Sequence, residues 1–177
     1  MKNLGREALN MIWRYLILVI VAVPNLWLFY LLFTPLTVYP VYWLLGLFYD
    51  ASLLGKGIVV INQFLSIELT KACIAGSAYY LLLILNLSTP KISLSKRAKM
   101  IVFSFVAFLI VNILRIFILS IVAVSGSGFF DITHRIFWYS LSTIFVVAIW
   151  FAEIWIFKIK EIPFYSDINF LYKNIKK

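Results

Sequence analysis

The sequence predicts an all-α integral membrane protein of about four transmembrane helices. A helix on the outer surface and a short β-like segment precede the second span. Three observations carry this. The 177 residues are 64% hydrophobic and only 13% charged, with a mean hydropathy of +1.01, far from the composition of soluble domains. Several apolar runs approach the length of about 20 residues that crosses a bilayer core. The basic residues sit in short clusters between those runs.

Met1 to Arg14 is short and basic, and an apolar run from Tyr15 to Phe33 follows it. Pro24 and Asn25 near its middle predict a kink, because proline removes a backbone donor and clashes with the preceding turn. The run is long and lacks a small-residue cleavage site, so no cleavable signal peptide is expected. Thr34 to Tyr49 is apolar and rich in Tyr and Trp, and reads as a helix lying on or re-entering the outer surface. Asp50 to Lys71 carries β-branched runs around Gly55-Lys56-Gly57 and reads as two short strands or a hairpin over that surface. The alternative is that residues 36–49 and 51–69 form two poor spans.

Cys73 to Leu87 is the second span, and Pro90 stops it. Met100 to Val124 is the third, Ser125 to Gly128 is a turn, and Phe137 to Phe157 makes most of the fourth. Residues 158–177 form a basic tail along the inner surface. With the N-terminus inside, the inner side holds Lys2, Arg6, Arg14, Lys91, Lys96, Arg97, Lys99 and five lysines of the tail. The outer side keeps Lys56, Lys71 and Arg135. This asymmetry predicts a multi-pass protein of the plasma membrane with both termini cytoplasmic. Cys73 and His134 then face the outer, extracytoplasmic side.

Composition also excludes functions. The net charge of +9 reports topology and contact with anionic lipid, not nucleic acid. One cysteine forms no internal disulfide, and one cysteine with one histidine cannot supply a typical zinc site. Haem ligation by His134 is formally open, but no CxxCH signature exists. No metal and no cofactor are expected.

Three residues stand out chemically. Arg115 lies in the outer half of an apolar helix, where a guanidinium is costly unless it is paired or reaches water. Asn112, one turn earlier, can hold it; the bland alternative is an arginine that locks helices together through carbonyls. His134 opens the fourth span and can exchange a proton near neutrality. Asp131 can orient its imidazole, or simply cap the helix with Thr133. Cys73 alone reads as a packing residue, but at a helix start the dipole and nearby cations favour its thiolate. Gly76 lets another backbone or a substrate chain approach. Together they make a thiol nucleophile, an imidazole general base and acid, and a guanidinium for thiolate or oxyanion.

Ala72-Cys73-Ile74-Ala75-Gly76, Asn112-Ile113-Leu114-Arg115 and His134-Arg135 resemble the motifs of the exosortase and archaeosortase family of membrane cysteine transpeptidases. The short length resembles the small pacearchaeosortase branch, and the likeness covers residues 36–157, the core of what reads as a single membrane-embedded domain over 1–177 with the basic cytoplasmic tail at 158–177. It implies catalytic roles for Cys73, Arg115 and His134, with Arg135 as a rival to His134. It further implies that the partner is the C-terminal sorting signal of archaeal surface proteins: a short motif, a transmembrane helix and a basic tail. Cys73 would form a thioester with the cleaved motif, and an amine on a membrane lipid would resolve it, or water in the simpler case. Other members have more spans, so this near-minimal core would need a dimer or partner to seal its groove. The competing reading is a non-catalytic membrane scaffold or assembly subunit. A rhomboid-type serine protease using Ser125 or Ser127 with His134 ranks low, because GxSG is absent. A transporter is disfavoured by the lack of an internal repeat.

Overall fold

A computed structural model describes residues 2–23, 26–55, 57–90, 92–126, 142–159 and 172. Helix α1 (Lys2–Ala22) ends just before Pro24, and the chain resumes through Leu26 in a left-handed conformation (φ 58°) to enter α2 (Trp27–Gly46). The break thus falls where Pro24 and Asn25 predict it. The expectation of a surface helix over residues 34–49 is corrected: these residues mostly belong to α2, which continues through Pro35 and Pro40 without ending. Proline is tolerated inside an apolar helix when neighbouring helices pack around the freed carbonyls. Phe29, Phe33, Val38 and Val41, buried along α2, anchor the helix to the core before, between and after its prolines.

Three strands follow: β1 (Ala51–Leu54), β2 (Ile58–Ile61) and β3 (Leu65–Glu68) form an antiparallel meander in that order. Val60 lies opposite both Ser52 and Ser66, and Val59 lies opposite both Leu53 and Ile67. One face, built on Val59 and Ile61, is buried against the core with Ala51, Leu53, Leu65 and Ile67. The other carries the exposed Ser52 and Ser66. The sequence reading of two strands or a hairpin is therefore extended by one strand.

A single turn, α3 (Lys71–Ile74), leads into α4 (Gly76–Leu87), then α5 (Leu94–Val124) and α6 (Ser142–Phe157). α4 runs antiparallel to α5, since Tyr79 meets Phe108 edge-on and Asn86 meets Ser104. α2 runs parallel to α5, with Phe33 against Phe105 and Phe48 against Phe117. α1 lies along the far end of α4: Arg14 donates to the Leu87 carbonyl (3.2 Å) and Tyr80 to the Leu18 carbonyl (3.0 Å). α6 ends where α5 begins, with Phe157 edge-on to Phe103. At the centre the rings of Phe33 and Tyr79 stack with centroids 3.6 Å apart.

α5 begins at Leu94, six residues before the expected start, because Arg97 is not a loop residue. It is buried, and it donates to the carbonyls of Asn86, Leu87 (3.2 Å) and Thr89 (2.8 Å). Those carbonyls close α4 and lack helical partners of their own. Along α5 the buried positions include Arg97, Ser104, Asn112, Arg115 and Ser120, while Val102, Val106, Ile110, Leu114 and Ile118 are exposed. From Ser104 to Ser120 every polar side chain is buried, with Phe108 and Ile116, and the exposed ones are aliphatic, the reverse of a helix on a soluble domain. By length and composition α2 and α5 are long and apolar enough to cross a membrane.

Candidate active site

Cys73 sits in α3, not at the start of the spanning helix as its sequence position predicts. The turn Lys71–Ile74 closes on Ala75, whose left-handed backbone (φ 57°, ψ 45°) redirects the chain before α4 starts at Gly76. The α4 dipole therefore begins three residues beyond the thiol. What surrounds Cys73 instead is a set of side chains drawn to the unfinished end of α3.

Because α3 stops after one turn, the carbonyls of Cys73 and Ile74 have no helical donors. Asn112 and Arg115 reach them from α5. Asn112 Nδ2 donates to the Cys73 carbonyl at 3.0 Å and to that of Ile74 at 3.5 Å, and Arg115 Nη2 donates to the Cys73 carbonyl at 3.4 Å. Spaced three residues apart, the two side chains share the buried face of α5. Asn112 is 1% exposed and Arg115 8%. The thiol itself is half-exposed and accepts from Thr70 Oγ1 at 3.6 Å.

Gly76 borders the site from the other side. A Cβ added there would fall 2.8 Å from Cε1 and Cζ of Tyr30, so a side chain at this position would have to displace the ring. Where another backbone or a substrate chain was expected, Gly76 is approached by the ring of Tyr30 from α2. Glycine is thus spent on the steric contact, and the left-handed position is left to Ala75. Relief of that strain, roughly 1–2 kcal/mol, offsets the added chain entropy of glycine, roughly 0.4–1 kcal/mol, together with the loss of a buried core methyl, about 0.8 kcal/mol. Ala75→Gly is therefore expected to leave the thermal midpoint in detergent close to wild type, and a drop of several degrees would show that the turn is not strained.

The structure brings Cys73, Asn112, Arg115 and Gly76 together. His134, Arg135 and Asp131 lie outside the described residues, as does Ser127. Ser125 donates its hydroxyl to the Val122 carbonyl at 2.7 Å and serves the end of α5. Among the described residues no group of three or more His, Cys, Asp or Glu side chains is placed to hold a metal. Two residues escaped the sequence reading. Tyr30 looks like any aromatic of an apolar run. Glu153 on α6 did carry a signal, an acid within an apolar helix; it is fully buried and accepts from Asn86 Nδ2 at 3.1 Å.

Comparison with family models, with curated proteins and with solved structures gives no match to this chain.

Proposed function

We propose that the chain is a membrane cysteine transpeptidase that cleaves a C-terminal sorting signal and transfers the shortened protein to a lipid amine. The observation that supports this best is the convergence of Asn112 and Arg115 on the turn that carries the half-exposed Cys73. In this reading α1 and α2 make one broken crossing of the plasma membrane. α3 with α4, α5 and α6 make the other three, leaving both termini cytoplasmic and Cys73 at the extracytoplasmic face.

The Cys73 thiolate attacks the scissile carbonyl carbon, forming a C–S bond and a tetrahedral oxyanion. Arg115 supplies positive charge to thiolate and oxyanion, where preorganised charge has its largest effect. Collapse breaks the C–N bond, the departing amine takes the proton removed from the thiol, and the helix with its basic tail leaves. His134 carries that proton by its resemblance to the family motif, with Arg135 the alternative at the same position. A lipid amine then attacks the thioester, forming an amide and returning the thiol.

The test is co-expression with a host membrane protein that bears a C-terminal motif, span and basic tail. Wild type is expected to release the tail, and Cys73→Ser to release it at least about a thousandfold more slowly. Equal release by both would sink the cysteine mechanism.

One observation favours a second reading. Asn112 and Arg115 donate to main-chain carbonyls, which is also what a non-catalytic scaffold would use to fasten helices. In that case Cys73→Ser would leave function intact, and removal of Arg115 would unfold the protein.

A further inference from the structure

We infer that Tyr30 is a positioning residue for Cys73, an inference that rests on Cys73 being the nucleophile. Its ring touches both ends of the segment that carries the thiol. At one end it lies against the Cα of Gly76, within 2.8 Å of where a Cβ would stand. At the other, the Lys71 ammonium sits 5.5 Å from the ring centroid, in cation–π range. Lys71 opens α3 and Gly76 follows the left-handed Ala75 that ends it. One side chain from α2 therefore brackets the whole turn.

The opposite side of the turn is held by α5. Asn112 and Arg115 grip the Cys73 carbonyl there, so the segment is clamped between two helices that run parallel. The α2 jaw is itself fixed, because the neighbouring Phe29 packs against the rings of Phe33, Tyr79 and Phe105. A four-residue helix has too few internal hydrogen bonds to hold its own orientation. Its position beside Arg115 is set by what presses on it, and on the α2 side that is the Tyr30 ring. The ring, more than the hydroxyl, makes these contacts.

N-ethylmaleimide in detergent-solubilised full-length protein tests the clamp. Tyr30→Leu is expected to slow alkylation of Cys73 about tenfold, because the turn that carries the thiol is no longer pressed against Asn112 and Arg115. Tyr30→Phe, which keeps the ring, is expected to react at the wild-type rate. Gly76→Ala pushes the ring away and is expected to slow the reaction as Tyr30→Leu does. Combining the two is expected to slow the reaction no further than Tyr30→Leu alone, since both changes act through the same ring. Wild-type rates in Tyr30→Leu and Gly76→Ala would overturn the inference, and so would equal defects in Tyr30→Leu and Tyr30→Phe. Equal alkylation after denaturation in SDS controls for protein amount. Should Tyr30→Leu fail to accumulate, Gly76→Ala carries the same test with Tyr30 intact. Signal cleavage separates the two claims: tail release by Cys73→Ser would sink the nucleophile and leave the alkylation rates standing.

Discussion

Arg115→Lys is expected to lower tail release about a hundredfold while the protein still accumulates and melts close to wild type. Lysine keeps the charge and the aliphatic stem that packs in the buried face of α5. It loses the planar fork, whose several N–H donors let one guanidinium hold the Cys73 carbonyl and serve a second group. Asn112 retains its own bonds to the carbonyls of Cys73 and Ile74, so the turn stays attached. Arg115→Leu removes the charge as well, leaving the Cys73 carbonyl to Asn112 alone. Full tail release by Arg115→Lys would assign the arginine to fastening α3 onto α5. A collapse of melting in Arg115→Leu with no cleavage phenotype in Arg115→Lys would point the same way. Rate and melting must therefore be measured on the same preparations.

Much of this site was legible because ionisable and amide groups are rare in apolar helices and each needs a partner. Asn112 and Arg115 announce themselves in α5 by that rule, and their three-residue spacing puts them on one face. Which group they hold was not legible, since the acceptors are main-chain carbonyls exposed only because α3 ends at Ala75. No residue in Lys71-Ala72-Cys73-Ile74-Ala75 signals a left-handed break; the glycine that would do so stands one position later, where Tyr30 needs it. The helix boundaries failed for a related reason. Pro24 with Asn25 coincides with a real break, whereas Pro35 and Pro40 lie inside α2. Local sequence does not distinguish them, because packing by other helices decides whether a proline ends an apolar helix. The sheet followed from β-branched runs punctuated by glycine. Its third strand, Leu65–Glu68, has only the short LSIE pattern and becomes a strand by pairing with β2.

The largest stability effect is expected far from Cys73, at Glu153. The carboxyl is fully buried between α4, α5 and α6, where Asn86 Nδ2 also reaches the Leu82 carbonyl (3.1 Å) and Ser104 Oγ (3.4 Å). Two acceptors of this pair, Glu153 Oε1 and Asn86 Oδ1, have no hydrogen-bond partner among the described residues. Glutamine at position 153 keeps an oxygen for Asn86 Nδ2 and adds an amide hydrogen that can serve Asn86 Oδ1, closing a reciprocal amide pair. Glu153→Gln is therefore expected to be neutral or to stabilise by about 1 kcal/mol. Glu153→Ala removes one of three acceptors of Asn86 Nδ2 and opens a cavity, at a cost of roughly 2–4 kcal/mol. Asn86→Leu removes the one side-chain donor facing the carboxyl among the described residues, and a buried acid left without that hydrogen bond costs about 1–3 kcal/mol. Thermal melting in detergent reads all three, and the Gln variant above both the Ala and the Asn86 variants is the expected result. A Glu153→Gln protein as unstable as Glu153→Ala would mean that the carboxylate charge itself is required. The Asn86 amide would then be only part of what holds α6 to the bundle.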